Sequence, residues 1–443
     1  MPSSRSRYSN SRNVKKVNKQ RKLINMLICI LVVFLLVFAF NVIKKDKNQT
    51  MPTDAMLEEG TASEDGSSED KGGPDNYKQL PKEDVKIKIT AIGDVMCHNT
   101  QYEDAYVSAT GAYDFDYVFE SVKKHTRVAD LTIANLETTF AGKERIYSGY
   151  PTFNSPETLG NALQNIGVDV FTTANNHSLD KGYNGLESTL NKLDDMGMSH
   201  TGTARSQEER DTVLIKTVKG AKFAFLSYSY GTNGMPIPSG KEFCINLIDK
   251  NLIKKDLDRA KAEDVDMIIV SIHWGVEYQT TPNTEQKNLE KFLFENGADI
   301  ILGSHPHVLQ PMEEKTITTV EGETKKVFVV YSLGNFISGQ TAKNTNLSII
   351  LNIDLIRKAE DGKVTISNIN YRPIYMLNKG KVAHRYAILD IYDCMADYEN
   401  KVAGAVNKAT YDKLAQALKD IHKIIGDKYD QEKVIEGDAL ILE

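Results

Sequence analysis

Six short apolar runs in this chain end in residues able to hold a metal ion or move a proton. Residues 85–92 lead into Gly93-Asp94, residues 131–134 into Asn135-Leu136-Glu137, and residues 168–173 into Asn175-Asn176-His177 with Asp180 just beyond. Residues 267–272 lead into His273-Trp274-Gly275, residues 300–302 into Gly303-Ser304-His305-Pro306-His307, and residues 327–331 into Ser332-Leu333-Gly334-Asn335. Of nine histidines, His177, His273, His305 and His307 fall in these tails, and His98 stands four residues past Asp94. Imidazole nitrogen and carboxylate oxygen without thiolate form the donor set of a catalytic Zn, Mn or Fe site rather than a structural Cys-rich zinc. Glu137, as a carboxylate, can bridge two ions, and two ions about 3.5–4 Å apart clamp the attacking and leaving oxygens of a hydrolytic displacement. Each residue alone has a plain alternative: Asp94 as a helix cap, His177 as a turn histidine, His273 as a satisfied core residue. His305-Pro306-His307 is the most telling, because the proline stiffens a backbone that carries two rings.

For these side chains to meet, their strands must run parallel and end at one edge, where open α/β sheets bind ligands. From Val85 onward, short apolar runs alternate with helix-period segments, which predicts a three-layer or sandwich α/β domain. A further strand is expected over 223–227. Ser155-Pro156-Glu157 reads as an N-cap followed by proline at the first helical position, opening a helix that ends near Gly167. Residues 184–196 and 283–296 are expected helices closed by Gly197 and Gly297, and 252–262 another. Residues 349–356, 364–369, 371–376 and 387–392 read as antiparallel strands completing a sheet. Residues 396–428 read as a helix with Val402, Val406, Leu414, Leu418, Ile421 and Ile425 as its packing stripe.

Composition is ordinary for a globular chain, with 41% apolar and 26% charged residues. Four Cys and 29 Gly in 443 residues exclude a disulfide-stapled or collagen-like protein, and a formal charge of −6 argues against a general nucleic-acid binder. The charge is unevenly placed. Residues 1–22 hold eight bases and no acid, residues 23–43 hold no charge, and residues 46–84 hold eleven acids against four lysines. An uncharged run of that length spans a bilayer as a helix. It is too long for a signal-peptide core and no small-residue cleavage site follows it, so an uncleaved anchor is expected, its basic tail cytoplasmic and the main domain extracellular. The acidic stretch cannot bury enough surface to order itself. The expected organisation is a cytoplasmic basic tail (1–22), a single-pass anchor in the cell membrane (23–43), a disordered acidic linker (44–84), a main domain (85–341), completing β-strands (342–395) and a helical C-terminal tail (396–443).

The motifs GDVM at 93–96, NLETTF at 135–140, ANNHSLDKG at 174–182, HWGVEY at 273–278, GSHPHVLQPME at 303–313 and YSLGNF at 331–336 together resemble the capsule-synthesis CapA family. The resemblance covers about residues 86–340. It implies a metallophosphatase-like sandwich of mixed sheets flanked by helices, and a role in making or exporting an anionic capsule polymer, poly-γ-glutamate, alongside other capsule-synthesis membrane proteins. It also implies metal ligands at Asp94, Glu137, Asn176, His273, His305 and His307, a catalytic His177, and substrate contacts at Tyr278 and Asn335. Two departures stand out: the superfamily's D-x-H is D-V-M here, with Met96 in place of the imidazole and His98 beyond it, and its GDxxD is NLE. They leave open a centre of two ions, of one, or a vestigial one. Three roles follow: a metal-dependent hydrolase or transferase acting on a polymer or phosphoester, a non-catalytic scaffold or export subunit, and a surface metallophosphatase unrelated to capsule.

Overall fold

The computed structural model describes residues 80–432. The expected tail at 1–22, anchor at 23–43, linker residues 44–79 and residues 433–443 lie outside them. Among the described residues no helix is long and apolar enough to cross a membrane.

Apart from a two-residue hairpin pairing Tyr106–Val107 with Ala112–Tyr113, four strands come first: β1 (Val85–Val95), β2 (Leu131–Leu136), β3 (Val170–Thr172) and β4 (Ser199–Thr201), parallel and side by side. Six more follow: β5 (Leu214–Val218), β6 (Ala221–Ser229), β7 (Met267–His273), β8 (Ile300–Ser304), β9 (Leu309–Thr318) and β10 (Thr324–Leu333). These make a second sheet in the order β9-β10-β8-β7-β6-β5, parallel through its middle with antiparallel edges. The chain then returns to the first sheet with β11 (Asn335–Ile337), β12 (Leu347–Arg357), β13 (Val364–Asn378) and β14 (Tyr386–Asp390). That sheet reads β14-β13-β12-β1-β2-β3-β4, with β11 parallel beside the end of β1.

Strict alternation along the strands dictates how the sheets stack. Ile87, Ile89 and Ala91 of β1 share one buried cluster with Phe223, Phe225, Ile269, Ile300 and Phe328 of the second sheet, so the two sheets face each other. The opposite faces, carrying Ile92, Ala134 and Phe171 in one sheet and Ala224, Val270 and Ile301 in the other, meet helices. On the first sheet lie α1 (Thr158–Asn165) and α2 (Gly182–Asp195), and on the second α3 (Lys250–Ala262) and α4 (Thr284–Glu295). The result is a sandwich of mixed sheets flanked by helices. A side chain on either face of a strand is buried, which is why these strands read as near-continuous apolar runs.

Several local expectations need correction. The first helix begins at Thr158, not Pro156, with Glu157 as its cap. β9 is absent from the sequence reading, since only its first residues are buried, both faces emerge from the core from Glu313 on, and Pro311 interrupts it. Residues 364–376, expected as two strands, are one continuous β13. The last expected strand stops at Asp390, whose carboxylate caps α5 (Ile391–Glu399) by accepting from the Asp393 N–H. The single C-terminal helix is in fact two, because Lys401 and Gly404 take left-handed backbone angles and Asn407 caps a new helix, α6 (Lys408–Ile425). Val402 lies in that break, 48% exposed and off the stripe. Leu414, Ala417, Ile421 and Ile425 do face the core between the sheets, where α6 lies across β9, β12 and β13.

Candidate metal centre

Parallel strands deliver their C-terminal ends to one edge of each sheet, and the sandwich sets the two edges together. Asp94 stands in register with Asn135 of β2 and with Asn335 of β11, while His273 of β7 stands beside Ser304 of β8. The close approach of β1 to the turn before β11 depends on Gly93, where a Cβ would lie 1.9 Å from the Gly334 carbonyl oxygen. His305 and His307 hold left-handed backbone angles of 98° and 57° around Pro306, and Tyr278 one of 64°. Such conformations cost roughly 1–3 kcal/mol each for non-glycine residues and persist where the surroundings over-determine them. Here the Tyr278 N–H donates to the Pro306 carbonyl at 2.8 Å, tying the two strained segments together.

Five of the expected ligands form two donor groups that share one carboxylate. Asp94, Glu137 and His307 make the first; Glu137, His273 and His305 make the second, with the ligating atoms of each within 4.8 Å of one another. All five are buried. Asp94 accepts from Asn135 Nδ2 at 2.8 Å and lies 3.1 Å from His307 Nδ1. Glu137 Oε1 has His273 Nε2 at 3.4 Å and His307 Nε2 at 3.7 Å but no hydrogen-bond partner, and His305 Nδ1 is buried without one. A buried polar atom in that state calls for an explanation, and a divalent cation among these atoms supplies one. The donor set fits such an ion. Asn176 Oδ1, 2.8 Å from His273 Nε2, adds an amide oxygen at the same place.

The electrostatics of these side chains agree with that fit. Burial drives His273 down to about 3 and lowers His305 as well; His305 Nδ1 has no partner, while the two His273 nitrogens face Ser304 Oγ at 2.9 Å and Asn176 Oδ1 at 2.8 Å. Burial opposes charge on His307 too, but the Glu137 charge and the Asp94 hydrogen bond outweigh it and carry the ring up to about 9. Glu137 rises to about 8 through burial and then the Asp94 charge. Asp94, although burial pushes it up, is held below its ordinary value by His307. Burying the Asp94 and Glu137 carboxyls together thus opposes ionising both, a cost that a divalent cation between them would offset.

The remaining expected residues divide. His177 is buried beside the centre, and its Nδ1 lies 2.7 Å from Asp180 Oδ2. Its Nε2 faces the Asn233 amide at 3.5 Å, and Asn233 accepts from Asn176 Nδ2 at 3.1 Å. Tyr278 is 46% exposed on the rim, its ring 6.4 Å from that of His307. Asn335, expected at the substrate, has its amide committed within the protein: Oδ1 faces His307 Nδ1 at 3.0 Å, and Nδ2 donates to Gln340 and to the Thr345 carbonyl. It positions His307. His98 enters neither donor group; its Nδ1 accepts from the Gly339 N–H at 3.0 Å. Met96 is buried and brings no donor. Four residues escaped the sequence reading as site members. Asp180 braces His177, Tyr230 packs its ring 4.4 Å from His305, and Asn233 joins Asn176 to His177. Glu277 places an exposed carboxylate within reach of His305 and His307. Asp180 and Glu277 lie inside quoted motifs and were legible there; Tyr230 and Asn233 follow a strand that shows no metal-binding residue.

Residues 88–340 match the family described as bacterial capsule synthesis protein PGA_cap. A capsule biosynthesis protein CapA of Bacillus anthracis is 26% identical over 281 residues, which cover 62% of this chain and 65% of that one. A PGA biosynthesis protein CapA of Bacillus subtilis (strain 168) is 26% identical over 297 residues, 65% of this chain and 72% of that one. This chain therefore spans less than two thirds of the first relative's length. Among solved structures, the NAD nucleotidase of Haemophilus influenzae gives a TM-score of 0.42 at 15% identity, covering 76% of this chain and 60% of that one.

Proposed function

This chain belongs to the bacterial capsule synthesis family matched over residues 88–340, and from that membership we propose that it serves the synthesis or export of an anionic capsule polymer, poly-γ-glutamate, through a metallophosphatase-like metal centre. The observation that carries this reading is the pair of buried donor groups hinged on Glu137, whose free oxygen has two imidazole nitrogens beside it and no hydrogen bond. In this reading residues 23–43 anchor the chain in the cell membrane, residues 1–22 lie inside, and the folded domain works outside with other capsule-synthesis membrane proteins.

Asp94, Glu137 and His307 would hold one divalent ion, and Glu137, His273 and His305, with Asn176 beside them, a second. When bound, such ions supply Lewis acidity and positive charge to a hydrolytic or transfer displacement. His177 is the group placed to handle a proton. With Nδ1 fixed by Asp180, its Nε2 is the atom left to give a proton to a leaving group or take one back. Asp180 holds the tautomer and the ring plane, and the Phe153 ring packs edge-on against His177 at 4.7 Å, excluding water from one side. Tyr230 and Tyr278, both partly exposed, offer rings on either side of the centre to the body of a substrate.

One observation favours an architectural role instead. The position where the superfamily carries an imidazole is held by the buried, apolar Met96, and His98 is engaged elsewhere. Complementation separates the two readings. His177→Asn, expressed at normal level in a deletion strain, keeps its metal yet fails to restore capsule if chemistry is the role. Full restoration by this variant, by Asp94→Asn and by His273→Ala assigns the domain to scaffolding.

A further inference from the structure

Most of this molecule repels an anionic chain. Setting aside the basic excess of eight in the tail, Lys44 and Lys45, and the acidic excess of seven in the linker, residues 85–443 keep a formal charge of −9. An anionic polymer held here needs a site whose own groups outweigh that field. The loop 338–346, just after β11, lines a cavity of about 380 Å³ together with the end of β13, Tyr386 and α6. Its lining includes Lys343 and Lys413 and no Asp or Glu. The larger cavities differ: one along β4 and β5 includes Asp194 and Glu209, and one at the opposite end of the second sheet includes five carboxylates.

Among the described residues neither lysine has an ion-pair partner, and Asp412, next to Lys413 in the chain, is paired with Lys408. Gln340, Asn344, Asn346 and Asn378 supply amides around the two charges. Asp104, the acid that faces the neighbouring loop, accepts from the Arg385 N–H at 2.7 Å and from the Tyr117 hydroxyl at 2.5 Å. The cavity is also tied to the candidate centre. Gln340 accepts from Asn335, which faces His307, and Gly339 donates to His98, whose ring packs on Phe153 and through it on His177.

We propose that this cavity is a binding subsite for the carboxylates of an extended anionic chain, held beside the candidate metal centre by Lys343, Lys413 and the surrounding amides. The inference rests on the polymer reading above and adds where the polymer is held. Its test is fluorescence anisotropy of a fluorescein-labelled γ-linked glutamate decamer with the full-length protein. Lys343→Glu with Lys413→Glu is expected to weaken binding at least tenfold, and the milder Lys343→Ala with Lys413→Ala at least threefold, both with unchanged circular dichroism and metal content. Reversal of Lys326 and Lys363, which line the cavity at the opposite end, changes affinity by twofold or less. Equal losses in both reversal pairs, or no loss in either, overturn the proposal. Inorganic polyphosphate of matched charge distinguishes the source: tighter binding than the decamer assigns the cavity to phosphate and overturns the carboxylate assignment. A metal-free wild type that still binds the decamer through these lysines keeps this inference and removes the metal reading; a metal-loaded wild type indifferent to them does the reverse.

Discussion

A methyl group at Gly93 is the smallest change that should pull Asp94 away from its partners. The Cβ of Gly93→Ala would lie 1.9 Å from the Gly334 carbonyl oxygen and 2.9 Å from its carbon. Ordinary contact requires the two backbones to part by more than about 1 Å. Neither side is a flexible side chain. The Asp94 N–H donates to the Gly334 oxygen at 2.9 Å, and Gly334 sits at a left-handed φ of 69° with its own missing Cβ 2.8 Å from the Leu347 oxygen. Overpacking costs about 1–3 kcal/mol, and a lost buried hydrogen bond about 1–3 kcal/mol more. At roughly 1–2 °C per kcal/mol for a domain of about 350 residues, the melting temperature should fall by about 3–8 °C. The Asp94 carboxylate moves with its backbone, away from Asn135 and His307, so metal content should fall in the same sample. Gly426→Ala is the contrast. It meets no atom within 4 Å and strains only a backbone at φ 76° and ψ 172°, a region glycine alone adopts readily, which costs about 1–3 kcal/mol and leaves metal untouched. Thermal unfolding with metal analysis on each variant decides. Wild-type melting and wild-type metal in Gly93→Ala would refute the steric argument.

Other perturbations have equally definite outcomes. His177→Asn and Asp180→Asn should keep metal and lose about 10²–10⁴-fold in rate on any substrate found, through loss of the titratable ring or of its brace; turnover within threefold of wild type would remove the proton-handling role. Arg372→Met strips the guanidinium from buried Asp390 and one of three basic partners from Asp393, so a loss of about 3–5 kcal/mol is expected in denaturant unfolding, and a change below 1 kcal/mol contradicts it. Asp393 is pushed up by burial but held below its ordinary value by hydrogen bonds from Lys124 and His125 and by the Arg372 charge. A depressed carboxyl contributes stability that is present above the unfolded pKa and lost as pH falls through the folded one, so Asp393→Asn should melt below wild type at pH 7, with the gap closing below about pH 4. Ile421→Ala, on the buried face of α6, should cost about 2–5 kcal/mol; a neutral result would mean that α6 does not seal the core.

The strands that carry the site were legible because both faces of each are buried, which makes them short apolar runs with an abrupt polar end. Asp94, Glu137, His273, His305 and His307 each sit at such an end, so type and position pointed the same way. What was hidden depends on packing across the sandwich. β9 mixes Pro311 and charged residues because it is buried only at its start and runs out of the core from Glu313 on, so no period of two survives. The pairing of Asn335 with His307 is set by the register of β11 beside β1, which no local pattern encodes. Tyr230 and Asn233 approach the centre from a loop with ordinary polar composition. The split of the C-terminal helix turns on two residues in left-handed backbone, Lys401 and Gly404, and only the glycine signals it.

Metal content of the purified full-length protein tests the centre most directly. After growth in Mn- and Zn-replete medium and exhaustive dialysis, elemental analysis should find one or two divalent ions per chain. His305→Ala and His307→Ala should each lose at least one, and Glu137→Gln, which alters the carboxylate common to both donor groups, should lose the most. Wild-type protein with stoichiometry near zero, or a Glu137→Gln variant as fully loaded as wild type, would contradict the assignment of these residues as a metal centre.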